Sequence, residues 1–427
     1  MRRLLCLLLI LPALLLAEDE YEQAPIRYSA TKPHDAAQEL QALIQTGKAP
    51  IDRSSGWSVL RDVMKRLKIP EESQVLVFSK TSKQNDLITP QTPRAIYFGD
   101  NAYVGFCLGG LIEVAAIDPL LGPVFYTVDP EAGRDKPLHF ERDQSCLSCH
   151  GGTFTSEIPG LLVRSVFPAS TGHPLTSQGS TLVNTSTPFA NRWGGWYVTG
   201  KHGASFHRGN VIATERPGDT CEMPVEDGAN ITDLTRFFDV SAYPRNQSDI
   251  VALMVLEHQT STQNVLTKAN QTCLRAMHMQ LNLQKELGES IDVEPVGTAR
   301  RITDHSAEDV LDALLFKDEA VLPKGGIEGD EAFQAAFAIN ALHSADGRSL
   351  KDFQLLNRLF KYRCSYMIHS LTFQHLSPAL KKTVLTQLKA VLDGQDASGR
   401  YAYLAESERG HIRRILEETK VLEVGNN

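Results

Sequence analysis

The chain has 427 residues, 42% hydrophobic and 22% charged, with a formal net charge of −8. That composition is ordinary for a globular protein and excludes a disordered one. The acidic balance, with no lysine- or arginine-rich run, argues against nucleic acid or an anionic membrane surface as partner.

In chain order, MRRLLCLLLILPALLLAEDE comes first. Arg2 and Arg3 precede an apolar run from Leu4 to Leu16, and Ala17 precedes an acidic stretch. This pattern predicts a signal peptide over 1–17 and a periplasmic or secreted mature chain. The run is shorter than the roughly 20 residues that a membrane helix needs. An uncleaved anchor stays as the alternative. Cys6 sits inside the apolar run rather than after a lipobox, which disfavours a lipoprotein. No second apolar stretch is long enough to span a bilayer, so no membrane span is expected after the signal is removed. The mature chain keeps Cys107, Cys146, Cys149, Cys221, Cys273 and Cys364. These are too few for a disulfide-built scaffold, and spacing does not select a pair among the four scattered ones.

A strand-rich region is expected over 18–247 and a helical region over 248–427. The first opens with helices at AAQELQALIQTG and at GWSVLRDVMKRL, whose Trp57, Leu60, Val63, Met64 and Leu67 fall on one face. The runs SQVLVFSK, RAIYFGD, AYVGFCLGG, LIEVAAID and GPVFYTVD then read as strands separated by turns. After a loop holding DQSCLSCHGG, strand-like pieces return at LLVRSVFP, STLVN, GGWYVTG and NVIAT. Residues 216 to 247 read as an irregular connection. From Ser248, taken as N-cap, one long helix runs to a stop at Gly288. Further helices are expected at SAEDVLDALLF, DEAFQAAFAINALH, LKDFQLLNRLFKYRCSYMIHSL, SPALKKTVLTQLKAVLDG and SERGHIRRILEETKVL. The fold class is α+β, with a strand-rich N-terminal half containing the motif loop and a helical C-terminal half.

The loop carries the chemistry. CxxCH, here Cys146, Cys149 and His150, is the attachment signature of haem c. Two cysteines three positions apart can form thioethers with neighbouring vinyl groups, and the adjacent histidine then falls beneath the ring as proximal iron ligand. Zinc is one rival, but it wants a second ligand pair that the sequence lacks. A dithiol redox motif is the other, and it expects a βαβ context that is missing here.

The stretch ERDQSCLSCHGG behind an export signal resembles exported bacterial c-type cytochromes. SQVLVFSKTS, TPRAIYFGDNAYVG, LVRSVFP, RWGGWYVTGKHG and DIVALMVLEHQ look like a group of large, secreted, single-haem proteins carrying a cytochrome c domain label. The resemblance implies haem, iron and electron transfer, carried by Cys146, Cys149 and His150. The chain departs from small cytochromes in its length and in lacking an amphipathic helix before the motif. Both departures put the small all-helical fold in doubt.

An electron carrier usually has a second axial ligand, Met or His. Residues 151–222 contain no methionine, so His202 and His207 in the glycine-rich TGKHGASFHRGN are the leading distal candidates. His258 on the long helix is next, followed by Met223 and Met254, with an open iron site as the remaining option. The expected protein is a periplasmic monohaem cytochrome passing electrons to an unidentified redox partner protein. The alternatives are a haem-dependent peroxidase or oxidoreductase with an open iron site, and a haem-containing binding or scaffold protein.

Overall fold

The computed structural model describes residues 19–133, 136–218 and 220–422. The expected signal peptide over 1–17 lies outside them. The architecture is α+β, with the main sheet in the N-terminal half and a helical C-terminal half.

Helices α1 (Ala36–Gln45) and α2 (Gly56–Arg66) come first. Strands β1 (Val75–Val77), β2 (Arg94–Phe98), β3 (Ala102–Phe106), β4 (Ile112–Asp118), β5 (Gly122–Val128) and β6 (Glu141–Arg142) follow. Helix α3 (Leu147–His150) holds the end of the motif. After it lie β7 (Arg164–Ser165), β8 (Thr181–Leu182), β9 (Trp196–Tyr197), β10 (Thr214–Arg216) and β11 (Thr220–Glu222). The helical half contains α4 (Ile250–Leu287), α5 (Gly297–Leu314), α6 (Glu331–Ala338), α7 (Leu371–Gln374), α8 (Pro378–Leu392) and α9 (Glu406–Glu418). Among the described residues no helix is long and apolar enough to cross a membrane.

One antiparallel sheet organises the site, in the order β6-β5-β4-β3-β2-β1-β9. Its two faces belong to different cores because side chains alternate along a strand. Tyr103, Ala115 and Phe125 are in register across β3, β4 and β5 and join the cluster that contains α4. Val104, Val114 and Tyr126, one position further on, join the cluster built with α1 and α2. The sheet is therefore covered on both sides, and strands buried on both faces read as continuous apolar runs.

Helix α4 lies against the sheet through polar as well as apolar contacts. Gln271 Nε2 donates to the Leu121 carbonyl at 3.1 Å, and Gln259 Nε2 donates to Tyr103 Oη at 2.8 Å. At Gly122 (φ 75°) an added Cβ would meet Thr267 at 2.5 Å, so the turn into β5 closes onto this helix only with glycine. The cap of α4 differs by one residue from expectation. Asp249 accepts from the Ala252 N–H at 2.8 Å, while Ser248 Oγ donates to the Tyr197 carbonyl at 2.6 Å and ties the helix entry to β9. Gly288 ends α4 in the left-handed conformation, as the sequence predicts.

Two expectations fail locally. The segment 350–365, read as helix, is irregular, and only Tyr366–His369 and α7 follow it as short helical turns. Phe360, Tyr362 and Cys364 are buried, with Lys361 exposed and Arg363 half-buried between them, so this part enters the core with a period of two rather than 3.6. The connection read as irregular contains β11, which pairs with β10 as a hairpin, Glu215 opposite Cys221. The six cysteines of the described residues are all free thiols.

Candidate functional site

The loop with Cys146, Cys149 and His150 is built from the sheet edge outward. Strand β5 pairs with β6, and the Asp143 N–H donates to the Phe125 carbonyl at 3.0 Å. Asp143 then caps the turn, its carboxylate accepting from the Ser145 N–H at 3.0 Å and from Lys83 Nζ at 2.7 Å. Burial alone would raise the Asp143 pKa, but these hydrogen bonds outweigh it and hold the carboxyl below its usual value. Lys83 also donates to Ser145 Oγ at 2.6 Å, so the 80s loop is fastened to the motif's first turn.

Cys146, Leu147, Cys149 and His150 wind through a short 3-10 turn into α3. Cys149 is exposed and Cys146 half-buried against the α4 core. Leu147 packs against both hydrophobic cores, so it pins the motif at their seam. Gly151 closes the turn. A Cβ there would stand 2.8 Å from Tyr21 Oη and 3.0 Å from the Leu147 carbonyl.

His150 is oriented from two sides. Its ring packs on Phe125 at 4.7 Å, and Nδ1–H donates to the Gly160 carbonyl at 2.8 Å. The Gly160 N–H returns a bond to the His150 carbonyl at 2.8 Å. This arrangement fixes the tautomer and leaves Nε2 as the nitrogen with a free lone pair. Burial holds the imidazole pKa below its usual value, outweighing the Gly160 hydrogen bond. The ring is thus neutral at pH 7, the form that can ligate a metal. The Arg94–Glu113 ion pair lies nearby with opposing effects on the ring.

Helix α4 holds the 160–161 backbone. Asn264 Oδ1 accepts from the Leu161 N–H and Asn264 Nδ2 donates to the Leu161 carbonyl, both at 2.8 Å. A Cβ on Gly160 would meet Thr155 at 2.8 Å and Asn264 Oδ1 at 3.0 Å. Sequence reasoning missed Gly160, Asn264, Phe125, Leu147 and Lys83. The only available signal was the run of amides on an otherwise apolar helix: Gln259, Gln263, Asn264, Asn270 and Gln271.

The three histidines proposed as distal ligands each have partners of their own. The rings of His202 and His207 are 4.7 Å apart and pack against Phe189, with Trp193 on His207. His202 Nε2 accepts from the Asn230 N–H and His207 Nδ1 from the Gly209 N–H, each at 3.0 Å. Both lone pairs are therefore engaged by backbone. Burial pushes His207 down to about 3 and lowers His202 as well. His258 is fully buried, stacked on Phe316 at 4.5 Å and hydrogen-bonded to Ser365 Oγ at 2.7 Å. Among the described residues none of the three shares a ring contact or hydrogen bond with His150. Met254 is core and Met223 is half-buried in the hairpin region.

Burial, with Asp143 adding to it, pushes the Cys146 thiol up to about 11. A redox dithiol needs the opposite shift. Among the described residues, no group of three or more His, Cys, Asp or Glu side chains gathers into a metal-binding cluster. No family model, no curated protein and no solved structure matches the chain.

Proposed function

We propose that this chain is an exported monohaem c-type cytochrome, with Cys146 and Cys149 as thioether attachments and His150 as proximal iron ligand. The observation that carries this reading is the His150 geometry. Two free thiols precede a neutral imidazole whose Nδ1–H is bound by Gly160, so the donor set suits a haem. Bound there, haem supplies one-electron chemistry at its iron. The chain's own part is to hold His150 in one tautomer and orientation through Gly160, Phe125 and Asn264. The proposed location is the bacterial periplasm, and the proposed partner is a redox protein.

A second reading, a haem enzyme with an open iron face, is favoured by one observation. His202 and His207 each already accept a backbone N–H at a ring nitrogen, and His258 is buried and hydrogen-bonded to Ser365. Expression with cytochrome c maturation machinery tests both readings. Haem absorbance that survives denaturing electrophoresis and disappears in Cys146→Ala/Cys149→Ala is the expected result. Absence of covalent haem in the unsubstituted protein overturns the proposal. A spectrum insensitive to CO and cyanide would favour the carrier, and one that responds would favour the enzyme.

A further inference from the structure

The helical half holds a cavity of about 370 Å³ that the haem reading does not use. Its lining combines apolar Phe316, Val321 and Tyr403 with charged Glu319, Arg358 and Arg363. Phe316 (φ 55°) and Asp318 (φ 58°) both adopt the left-handed conformation, which disfavours residues with a side chain. The packing of Phe316 against His258 and Phe360 holds that turn in place. Strain maintained beside a cavity is a feature of ligand sites rather than of passive surface.

The cavity's polar groups are incompletely used. Arg363 donates from Nε and Nη2 to Glu408, and from Nη2 to the Tyr403 carbonyl at 2.7 Å. Arg358 donates from Nε to the Phe360 carbonyl at 3.1 Å and from Nη2 to the Lys361 carbonyl at 2.8 Å. Among the described residues neither Nη1 has a protein partner. Among the described residues Glu319 accepts one long bond, from the Leu359 N–H at 3.4 Å. Asp318 is paired with Lys317 at 2.8 Å, and Arg192, behind Glu319, is paired with Glu257 at 2.5 Å. Two guanidinium groups therefore face one carboxylate, Glu408, and one positive charge is left over whenever Glu319 is protonated.

We propose that this cavity binds a small organic carboxylate with an apolar body. The ligand's oxygens take the free Nη1 donors of Arg358 and Arg363, and its body lies on Phe316 and Tyr403. Glu319 sets the pH range. Burial raises its pKa to about 7, opposed by the Leu359 N–H, Arg358, Arg363 and Arg192. Below that value the neutral carboxyl donates a hydrogen bond to the ligand; above it the ionised carboxylate repels it. Affinity linked to one proton falls about tenfold per pH unit above the pKa.

Calorimetric titration of the full chain with benzoate and with benzamidine, at pH 6 and pH 8, tests this. Benzoate is expected to bind at pH 6 with a dissociation constant below about 1 mM, and roughly tenfold more weakly at pH 8. Glu319→Gln should keep benzoate binding and remove the pH dependence, and Arg358→Gln should weaken binding at least tenfold. Arg358→Lys, which keeps the charge but not the Nη1 donor, serves as the second variant should Arg358→Gln not fold, with a few-fold loss expected. Preference for benzamidine, binding of neither compound, or an unchanged pH dependence in Glu319→Gln overturns the proposal.

Discussion

Asn264→Ala tests whether α4 positions the motif histidine. Asn264 makes two 2.8 Å hydrogen bonds with Leu161, whose side chain is buried. Such a bond contributes about 1 kcal/mol net, and each buried backbone group left unpaired costs about 1–3 kcal/mol instead. Water reaching part of the vacated space offsets some of this, so a loss of about 2–4 kcal/mol in unfolding free energy is expected, measured by urea titration. A structural role alone would stop there. Positioning adds a second readout: the Nδ1–H of His150, held by the Gly160 carbonyl, should lose its fixed tautomer in nitrogen-15 NMR spectra. A loss below about 0.5 kcal/mol, within the range of an ordinary surface change, together with an unchanged His150 tautomer, would refute the reasoning.

Gly151→Ala should destabilise the chain by about 1–3 kcal/mol, the usual result of overpacking, because the added Cβ meets Tyr21 Oη and the Leu147 carbonyl. Thermal melting measures it, and Tyr21→Ala in the same chain should recover part of the loss. His258 has a folded pKa lowered by burial to about 3, against 6.5 for the free side chain. The unfolded chain therefore binds the extra proton first, and stability is lost as pH falls from about 6.5 toward 3, by up to about 1.4 kcal/mol per pH unit. His258→Gln should flatten the pH dependence of the urea midpoint by that amount, and an unchanged slope would count against the burial argument. In haem-free protein at pH 8, iodoacetamide should label exposed Cys149 well before Cys146, whose thiol stands at about 11. Buried Cys107, Cys273 and Cys364 should stay unlabelled until unfolding. Peptide mass spectrometry gives the order, and faster labelling of Cys146 would restore the dithiol reading.

The elements that were legible in the sequence are those whose signals are local. Helix α4 carries its stop at Gly288 and its cap within one residue of Ser248, and β2 to β5 are largely apolar runs bounded by turn residues. The segment 350–365 misled because its apolar residues satisfy either period, and only the aromatic cluster of Phe337, Phe353, Phe360 and Tyr366 selects the extended one. The site divides in the same way. Cys146, Cys149 and His150 lie within five positions of one another, so the sequence alone brings them together, and α3 keeps them on one short turn. Asn264 was not legible, since its partner Leu161 lies 103 positions away. His202 and His207 were chosen for residue type and for the glycines around them, and a backbone N–H engages the lone pair of both, which a sequence does not display.

The scaffold's size follows from how His150 is held. Strand β5 supplies Phe125, whose ring meets the imidazole and whose carbonyl accepts from the Asp143 N–H before the motif. Helix α4 supplies Asn264, which fixes the loop bearing the Gly160 carbonyl. Leu147, directly after Cys146, is packed on the α1/α2 core and on the α4 core at once. A short helical cytochrome could not offer these three supports from separate layers. Here the sheet divides two cores, and the motif sits where they meet. The expected boundary at residues 247 and 248 accordingly separates sequence patterns while the site draws on both sides of it. The imidazole's orientation depends on the sheet and α4 staying docked, so local geometry at His150 is coupled to the stability of the contact between the two halves.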